Sequence, residues 1–463
     1  MAQAQPARRT GVNIFDPTRP IWLHFLIFLI PLMVSNVLQS ASQTLAFVFV
    51  GRILGVYALG AVSAVFPIIF LMFSFLIGVA TGSSVLIAQA YGARDEHRVK
   101  KIAGTVLGAT FAFGLLVAIG GPFAAKGMLE FLRTPPNILA DAAAYAKVIF
   151  LTSPVIYPYI VYTTFLRGTG DSTTPMYILL VNTAAFALFA PALILGWFGL
   201  PQLGVVSIAL AALLSYIVSF SVFLAWLAKR RHPLRFDAET ARDMLIDWHL
   251  LGQVLKIGVP TGVQVIMVSL AEIAVISFVN RFGSQATAAY GAVNQIISYV
   301  QFPAISVGMS ASIFTAQAIG ARREDMIGKV LHAAVGMNYI VGGTLIGICY
   351  LFARPVLGWF ITDSHTLDIA HTLLMVTLWS YLIFGNSAAI SWVVRGSGDV
   401  LVPMLNSIFT IWGVEVPSAY ILMRSLGLVG VWLGYPIAFV VSLALQYGYY
   451  ALFWKRRTHE RLT

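Results

Sequence analysis

Long apolar runs alternate with short polar turns from residue 22 to residue 454. The first half holds runs at 22–50, 57–90, 99–121, 138–166, 172–196 and 202–228. The second holds 254–281, 285–318, 327–356, 366–394, 400–423 and 427–454. Each reaches the ~20 residues that a helix needs to cross the hydrocarbon of a bilayer. Several are longer, which predicts tilt, kinks or extensions into water. The pattern predicts an all-α polytopic membrane protein of twelve transmembrane helices. Between the sixth and seventh runs, 229–253 is polar and basic, with Lys229, Arg230, Arg231 and Arg235. Within it, Asp237 to Leu251 reads as an amphipathic surface helix.

The halves repeat. Arg167-Gly168-Thr169-Gly170-Asp171, closed by Pro175-Met176, returns 228 residues later as Arg395-Gly396-Ser397-Gly398-Asp399, closed by Pro403-Met404. Ala88-Gln89-Ala90-Tyr91-Gly92-Ala93-Arg94 returns at the same spacing as Ala316-Gln317-Ala318-Ile319-Gly320-Ala321-Arg322. Pro31 to Arg52 aligns without gaps on Pro260 to Arg281, and Ala58-Leu59-Gly60-Ala61-Val62 more loosely on Ala289-Tyr290-Gly291-Ala292-Val293. Such self-similarity marks an internal repeat. The expected division is 1–228 as one six-helix lobe, 229–253 as a linker and 254–463 as the second lobe. Six spans per half make the repeat parallel, about an axis along the membrane normal. The doubled motif suits a tight hairpin between helices. Its glycines admit positive φ, its Asp caps the next helix, and its Arg is expected to snorkel to the headgroups.

Composition agrees. The chain is 59% hydrophobic and 10% charged, with mean hydropathy +0.85, whereas a soluble domain carries ~25% charged residues. A net charge of +11 would suggest a nucleic-acid partner in a soluble protein. Here the cations sit in short loops. Counting them places 22 Lys and Arg on the side of the N-terminus, Arg8, Arg9 and Arg231 among them, and 7 on the other. That bias predicts a plasma-membrane protein with both termini in the cytoplasm. Trp22, Trp197, Trp226, Trp359, Trp432 and Trp454 fall near run ends, as an aromatic belt requires. No removable signal peptide is read before the first span, which serves as an insertion signal. The single cysteine, Cys349, excludes an intramolecular disulfide and a cysteine-rich metal site.

Candidate chemistry lies in the few polar residues within spans. No G-x-x-x-x-G-K-[ST], H-E-x-x-H or G-x-S-x-G occurs, and no nucleophile–base or paired-carboxylate enzyme constellation can be assembled. The expected protein is not an enzyme and needs no cofactor. Of 18 acidic residues, Glu272 and Glu415 are read as lying deep in spans, where an unpaired charge costs ~2.5 kcal/mol or more. They are the candidate ion-coupling residues. The counterpart of Glu272 in the first half is Gln43. Asn36, Gln39 and Gln43 share one face of the first span. Asn294, Ser298 and Gln301 share one face of the eighth, and Asn182 lies in the fifth. Each set reads as helix–helix contact or as cavity lining. Tyr159, Tyr162, Phe165, Tyr299, Phe302, Trp379 and Trp392 could receive a flat cation by cation–π contact, or simply pack.

With Val50-Gly51-Arg52 ending the first span, the doubled Arg-Gly-Thr/Ser-Gly-Asp hairpin, the repeated Gly-Ala-Arg and twelve spans in two halves, the chain resembles the multidrug and toxic compound extrusion (MATE) family over nearly its whole length. The resemblance implies a V-shaped pair of six-helix bundles, acting as a monomer, that exports amphiphilic or cationic organic compounds in exchange for H⁺ or Na⁺. Two positions depart from the family pattern. The acidic residue that many members carry near the end of span one is Ala46, and the Asp-Pro of span five is Ala190-Pro191. Coupling is therefore expected in the second half, where the family often places Glu in span seven, the span of Glu272. A lipid-linked precursor flippase of the same superfamily is the alternative. It would need a basic cavity, and Lys147 is the one basic residue read as deep in a span. A channel would normally repeat a filter loop, but the loops repeated here are short hairpins.

Overall fold

The computed structural model describes residues 11–199, 202–230 and 232–462, and every regular element among them is helical. Arg8, Arg9 and Arg231, counted above among the cations, lie outside the described residues. The helices are α1 Ile21–Phe49, α2 Val56–Gly92, α3 Glu96–Phe131, α4 Pro136–Gly168, α5 Thr173–Leu195, α6 Val206–Lys229, α7 Ala238–Asp243, α8 Trp248–Val279 and α9 Ser284–Gly320. They continue as α10 Asp325–Met337, α11 Gly343–Leu351, α12 Ala353–Gly358, α13 Ser364–Thr377, α14 Ser380–Gly396, α15 Leu401–Ile408, α16 Val416–Leu426 and α17 Leu428–Leu452. Among the described residues, ten helices are long and apolar enough to cross a membrane, and eleven if the bent pair α13–α14 is one span. The run read as span eleven is helical in three consecutive pieces. They are α15, the π-helical turn Phe409–Glu415 and α16.

Packing divides the chain into two compact units, one built on Ile30–Gly258 and one on Ile14–Leu29 with Val259–Leu462. Both divisions fall just before equivalent prolines, Pro31 and Pro260. The first part of α1 thus belongs with the second unit and the first part of α8 with the first, so the units are not the plain halves of the sequence.

Repeat markers recur as backbone geometry. Gly170 and Gly398 take φ of 85° and 91° in the two hairpins, and Arg94 and Arg322 take 60° and 55° after α2 and α9. Asp171 accepts from the N–H groups of Thr173 and Thr174 at 3.0 and 2.9 Å, fastening the start of α5 as expected. Asp399 instead accepts from the Tyr449 hydroxyl. The second motif's Arg does not snorkel. Arg395 is only 4% exposed, bonds Gln264 of α8 and lies over the Trp392 ring.

Further expectations change for similar reasons. Trp432, read as a belt residue, is 1% exposed in the core of the second unit, and Trp454 is buried with its indole N–H on Ser397. Trp22, Trp197 and Trp359 are exposed. Cys349 is free and half-buried. The 237–251 helix is shorter than expected. Only Ala238–Asp243 is helical before α8 begins. This short α7 is clamped to α3 by Lys100, which reaches Asp237 at 2.8 Å and Glu239 at 2.6 Å, and by Lys101 on Asp247 at 2.8 Å. Burial acts to raise Asp237, but bonds from Lys100, Thr240 and Arg235 outweigh it and hold the carboxyl well below 3.8. Its stabilisation is complete above that value and is lost as pH falls below it.

The bend of 45° between α13 and α14 has no proline to cause it. Tyr350 of α11 supplies the cause. Its hydroxyl accepts the Trp379 N–H at 3.0 Å and donates to the Met375 carbonyl at 3.4 Å. It stands where a regular helix would join Trp379 to Met375 directly, the kind of insertion that kinks helices. Tyr350→Phe is expected to strip Trp379 of its acceptor and lower stability by about 1 kcal/mol or more, read as a lower thermal midpoint in detergent. An unchanged midpoint would show that the hydroxyl does not hold the break.

Candidate functional site

The polar residues of the second unit converge on one cluster. Glu415 ends the π-helical turn and is 7% exposed. Glu272 sits two-thirds along α8, one position past Ala271 on the buried Ala271–Val275–Val279 stripe, and its side chain is exposed. The two carboxyls interact electrostatically with each other and with Tyr290 of α9 and Tyr381 of α14. Tyr290 in turn meets Tyr435 of α17, hydroxyl to hydroxyl, at 2.9 Å, and interacts with the Asn294 side chain. Five helical segments therefore contribute to one site.

Apolar packing holds this arrangement. Val275, Val293, Leu374, Leu378, Val431 and Trp432 are buried around it. Gly434 of α17 lacks a side chain where a Cβ would come 3.0 Å from the Glu415 carbonyl oxygen. Two carboxyl groups in so apolar a setting are stabilised by one positive charge between them, whether a proton, a metal ion or an organic cation. Among the described residues no group of three His, Cys, Asp or Glu could hold a metal ion. A cation here would thus complete its shell with tyrosine hydroxyl or backbone oxygens.

Other candidates divide between surface and packing. Gln39 and Gln43 are exposed on α1 and Asn36 is half-buried there. Next to them, Ser42 hydrogen-bonds Thr183 of α5 at 2.6 Å. Asn182, at 9% exposure, donates to Ser219 of α6 at 3.1 Å, which is the helix–helix reading. In the second unit Tyr299 is exposed and Gln301 half-buried, while the Ser298 hydroxyl donates to the Asn294 carbonyl at 2.9 Å. The Trp392 ring is seated against Gly308 of α9 with Arg395 over it, so it packs rather than presents a free face. Tyr159 and Tyr162 are core residues in edge-to-face contact with Tyr216, Phe220 and Phe223, and buried Phe165 packs against Tyr162. Lys147 is exposed. Tyr290, Tyr381 and Tyr435 complete the cluster, and periodicity along the chain does not single them out. Tyr290 carried a signal, since it replaces Leu59 within a repeated marker.

The MatE family model matches this chain twice, at 31–192 and 260–421, so each match begins at one of the two equivalent prolines. The probable multidrug resistance protein YoeA of Bacillus subtilis is 50% identical over 444 residues, covering 96% of both chains. The probable multidrug resistance protein NorM of Thermotoga maritima is 24% identical over 411 residues, 88% of this chain and 87% of that one. Among solved structures, an outward-facing MATE-family multidrug resistance transporter aligns with TM-score 0.85 at 22% identity, over 95% of this chain and 97% of that one. A MATE protein in the bent conformation aligns with TM-score 0.83 at 22% identity, over 92% and 94%.

Proposed function

This chain belongs to the MATE family of multi-pass membrane transporters, and from that premise we propose that it is a secondary antiporter exporting amphiphilic or cationic organic compounds in exchange for H⁺ or Na⁺. The observation that carries the proposal is a buried carboxyl, Glu415, with Glu272 and a set of tyrosines acting on it electrostatically within one unit. A coupling ion held by this pair in one conformation and a solute held by nearby polar residues in the other give exchange. Coupling then needs only different affinities in two conformations. In this reading the protein is a monomer of the plasma membrane with both termini in the cytoplasm. The names of its relatives, multidrug resistance proteins, support the substrate class. A flippase reading has less support, because the buried cation Arg395 is already engaged by Gln264 and Trp392.

The test is ethidium movement in proteoliposomes under an imposed pH or Na⁺ gradient. Accumulation above the protein-free background with one gradient supports the reading. No response to either gradient refutes it.

Gln39 and Gln43 are proposed as polar contacts for the solute in the first unit. The double change Gln39→Ala, Gln43→Ala is expected to weaken ethidium binding roughly fivefold, from about 1 kcal/mol of net hydrogen bonding. Titration of the detergent-solubilised protein measures it, and unaltered affinity would remove both residues from the site.

A further inference from the structure

Span eleven does not run as one α-helix. Val416 donates its N–H to the Ile411 carbonyl, five residues back, which is π geometry. Two local features favour it. Pro417 has no N–H to give the Gly413 carbonyl the α-helical bond it would otherwise receive. Gly413 has no side chain, and the Phe409 ring lies 3.2 Å from where its Cβ would be. A π turn inserts one residue, which rotates everything after it by about 100° relative to an unbroken α-helix. That rotation directs Glu415 inward. Sequence periodicity carried through 401–426 would place it differently.

A rotated segment needs a tether, and the structure supplies one. Trp412, three residues before Glu415, donates its indole N–H to the Met267 carbonyl of α8 at 3.2 Å. Met267 lies five residues before Glu272. A carbonyl oxygen has two lone pairs, so it can accept this bond beside its own helical one. One turn earlier on α8, Gln264 receives the Arg395 guanidinium from α14. The helix bearing Glu272 is thus gripped by α14 and by the π turn that bears Glu415. The Trp412 bond directly joins the two carboxylate-bearing segments.

We propose that Trp412 is a positioning residue that sets the separation of Glu272 and Glu415 by locking the π turn onto α8. It acts through the backbone of α8, at the Met267 carbonyl. Its loss leaves both groups present but lets the π turn slide or relax. The carboxyls then share a cation poorly while the rest of the transporter stays intact. This inference rests on the antiport reading above.

The experiment uses the full chain in proteoliposomes with ethidium as probe, comparing gradient-driven accumulation with equilibrium exchange, which needs no coupling ion. Trp412→Phe keeps a ring and removes the N–H. It is expected to keep exchange within about twofold of the unmodified protein and to lower gradient-driven accumulation roughly fivefold, the equivalent of one net hydrogen bond. In a Glu415→Gln background, Trp412→Phe is expected to change nothing further, since the group it positions no longer carries charge. Equal loss of exchange and accumulation in Trp412→Phe would make the residue merely structural and overturn the proposal. So would an additive loss in the Glu415→Gln background. A Glu415→Gln protein impaired in coupling beside a normal Trp412→Phe overturns this inference and leaves the antiport reading standing. A Glu415→Gln protein with full gradient-driven accumulation overturns the assignment of Glu415 itself.

Discussion

Glu272→Gln is expected to fold, to exchange ethidium across liposomes, and to lose gradient-driven accumulation at least tenfold. The amide copies the shape and hydrogen-bonding reach of the acid and cannot carry a charge. Folding should therefore survive, because no void opens and no polar atom is newly stranded. Coupling should not survive. Antiport requires a group that holds a cation in one conformation and gives it up in the other, and a ligand without differential affinity shifts no equilibrium. Glu272 suits this task because it is a carboxyl within a span whose interaction with buried Glu415 makes its charge state matter to the packed interior. Near-normal gradient-driven transport by the Gln variant would transfer the coupling role to Glu415.

Gly82→Leu is expected to abolish folded protein. Gly82 and Gly78 of α2 meet the first part of α8 within the first unit. A Cβ on Gly82 would come 2.4 Å from the Val254 carbonyl oxygen, and one on Gly258 would come 2.8 Å from the Gly78 carbonyl oxygen. Both obstacles are backbone, so no side chain can rotate out of the way. Small residues spaced four apart are what permit such a crossing in a membrane, where association depends on close packing. Leucine adds four carbons where not even one fits, so the cost should exceed the ~1–3 kcal/mol typical of overpacking. Monodisperse protein after detergent extraction measures the outcome. Gly252→Leu is the control, because a Cβ there meets nothing within 4 Å. It is expected to behave as the unmodified protein. Recovery of Gly82→Leu in normal yield and at a normal thermal midpoint would show that the two helices can part.

Much of this protein was legible in its residues. Long apolar runs bounded by polar turns announce membrane helices whatever the fold, since water must be excluded from the backbone there. The repeated hairpin announced two related halves. Its chemistry carried into structure at Gly170, Gly398 and Asp171, because positive φ and capping depend on neighbours in the chain. The candidate carboxylates were legible for the same reason. An acid in an apolar run is conspicuous without knowing what surrounds it.

What the sequence left open was which way each helix faces. In a soluble protein the apolar stripe marks the buried side, but here lipid and core are equally apolar, so hydropathy does not distinguish them. That is why Trp432 read as a belt residue and proved to be core, and why Tyr159 and Tyr162 read as ligand surface or packing and only the structure decided for packing. It is why Arg395 read as a headgroup contact and proved to be buried on Gln264. Tertiary structure alone decided the rest. The bend after α13 depends on a hydroxyl from α11, and the inward turn of Glu415 depends on a π turn tied to α8. The convergence of Tyr290, Tyr381 and Tyr435 depends on three helices far apart in the chain. Local sequence determined the spans, the repeat and the turns, because their causes lie within a few residues. Rotation and contact were decided by packing, because a membrane helix gains almost nothing from water by facing one way rather than another.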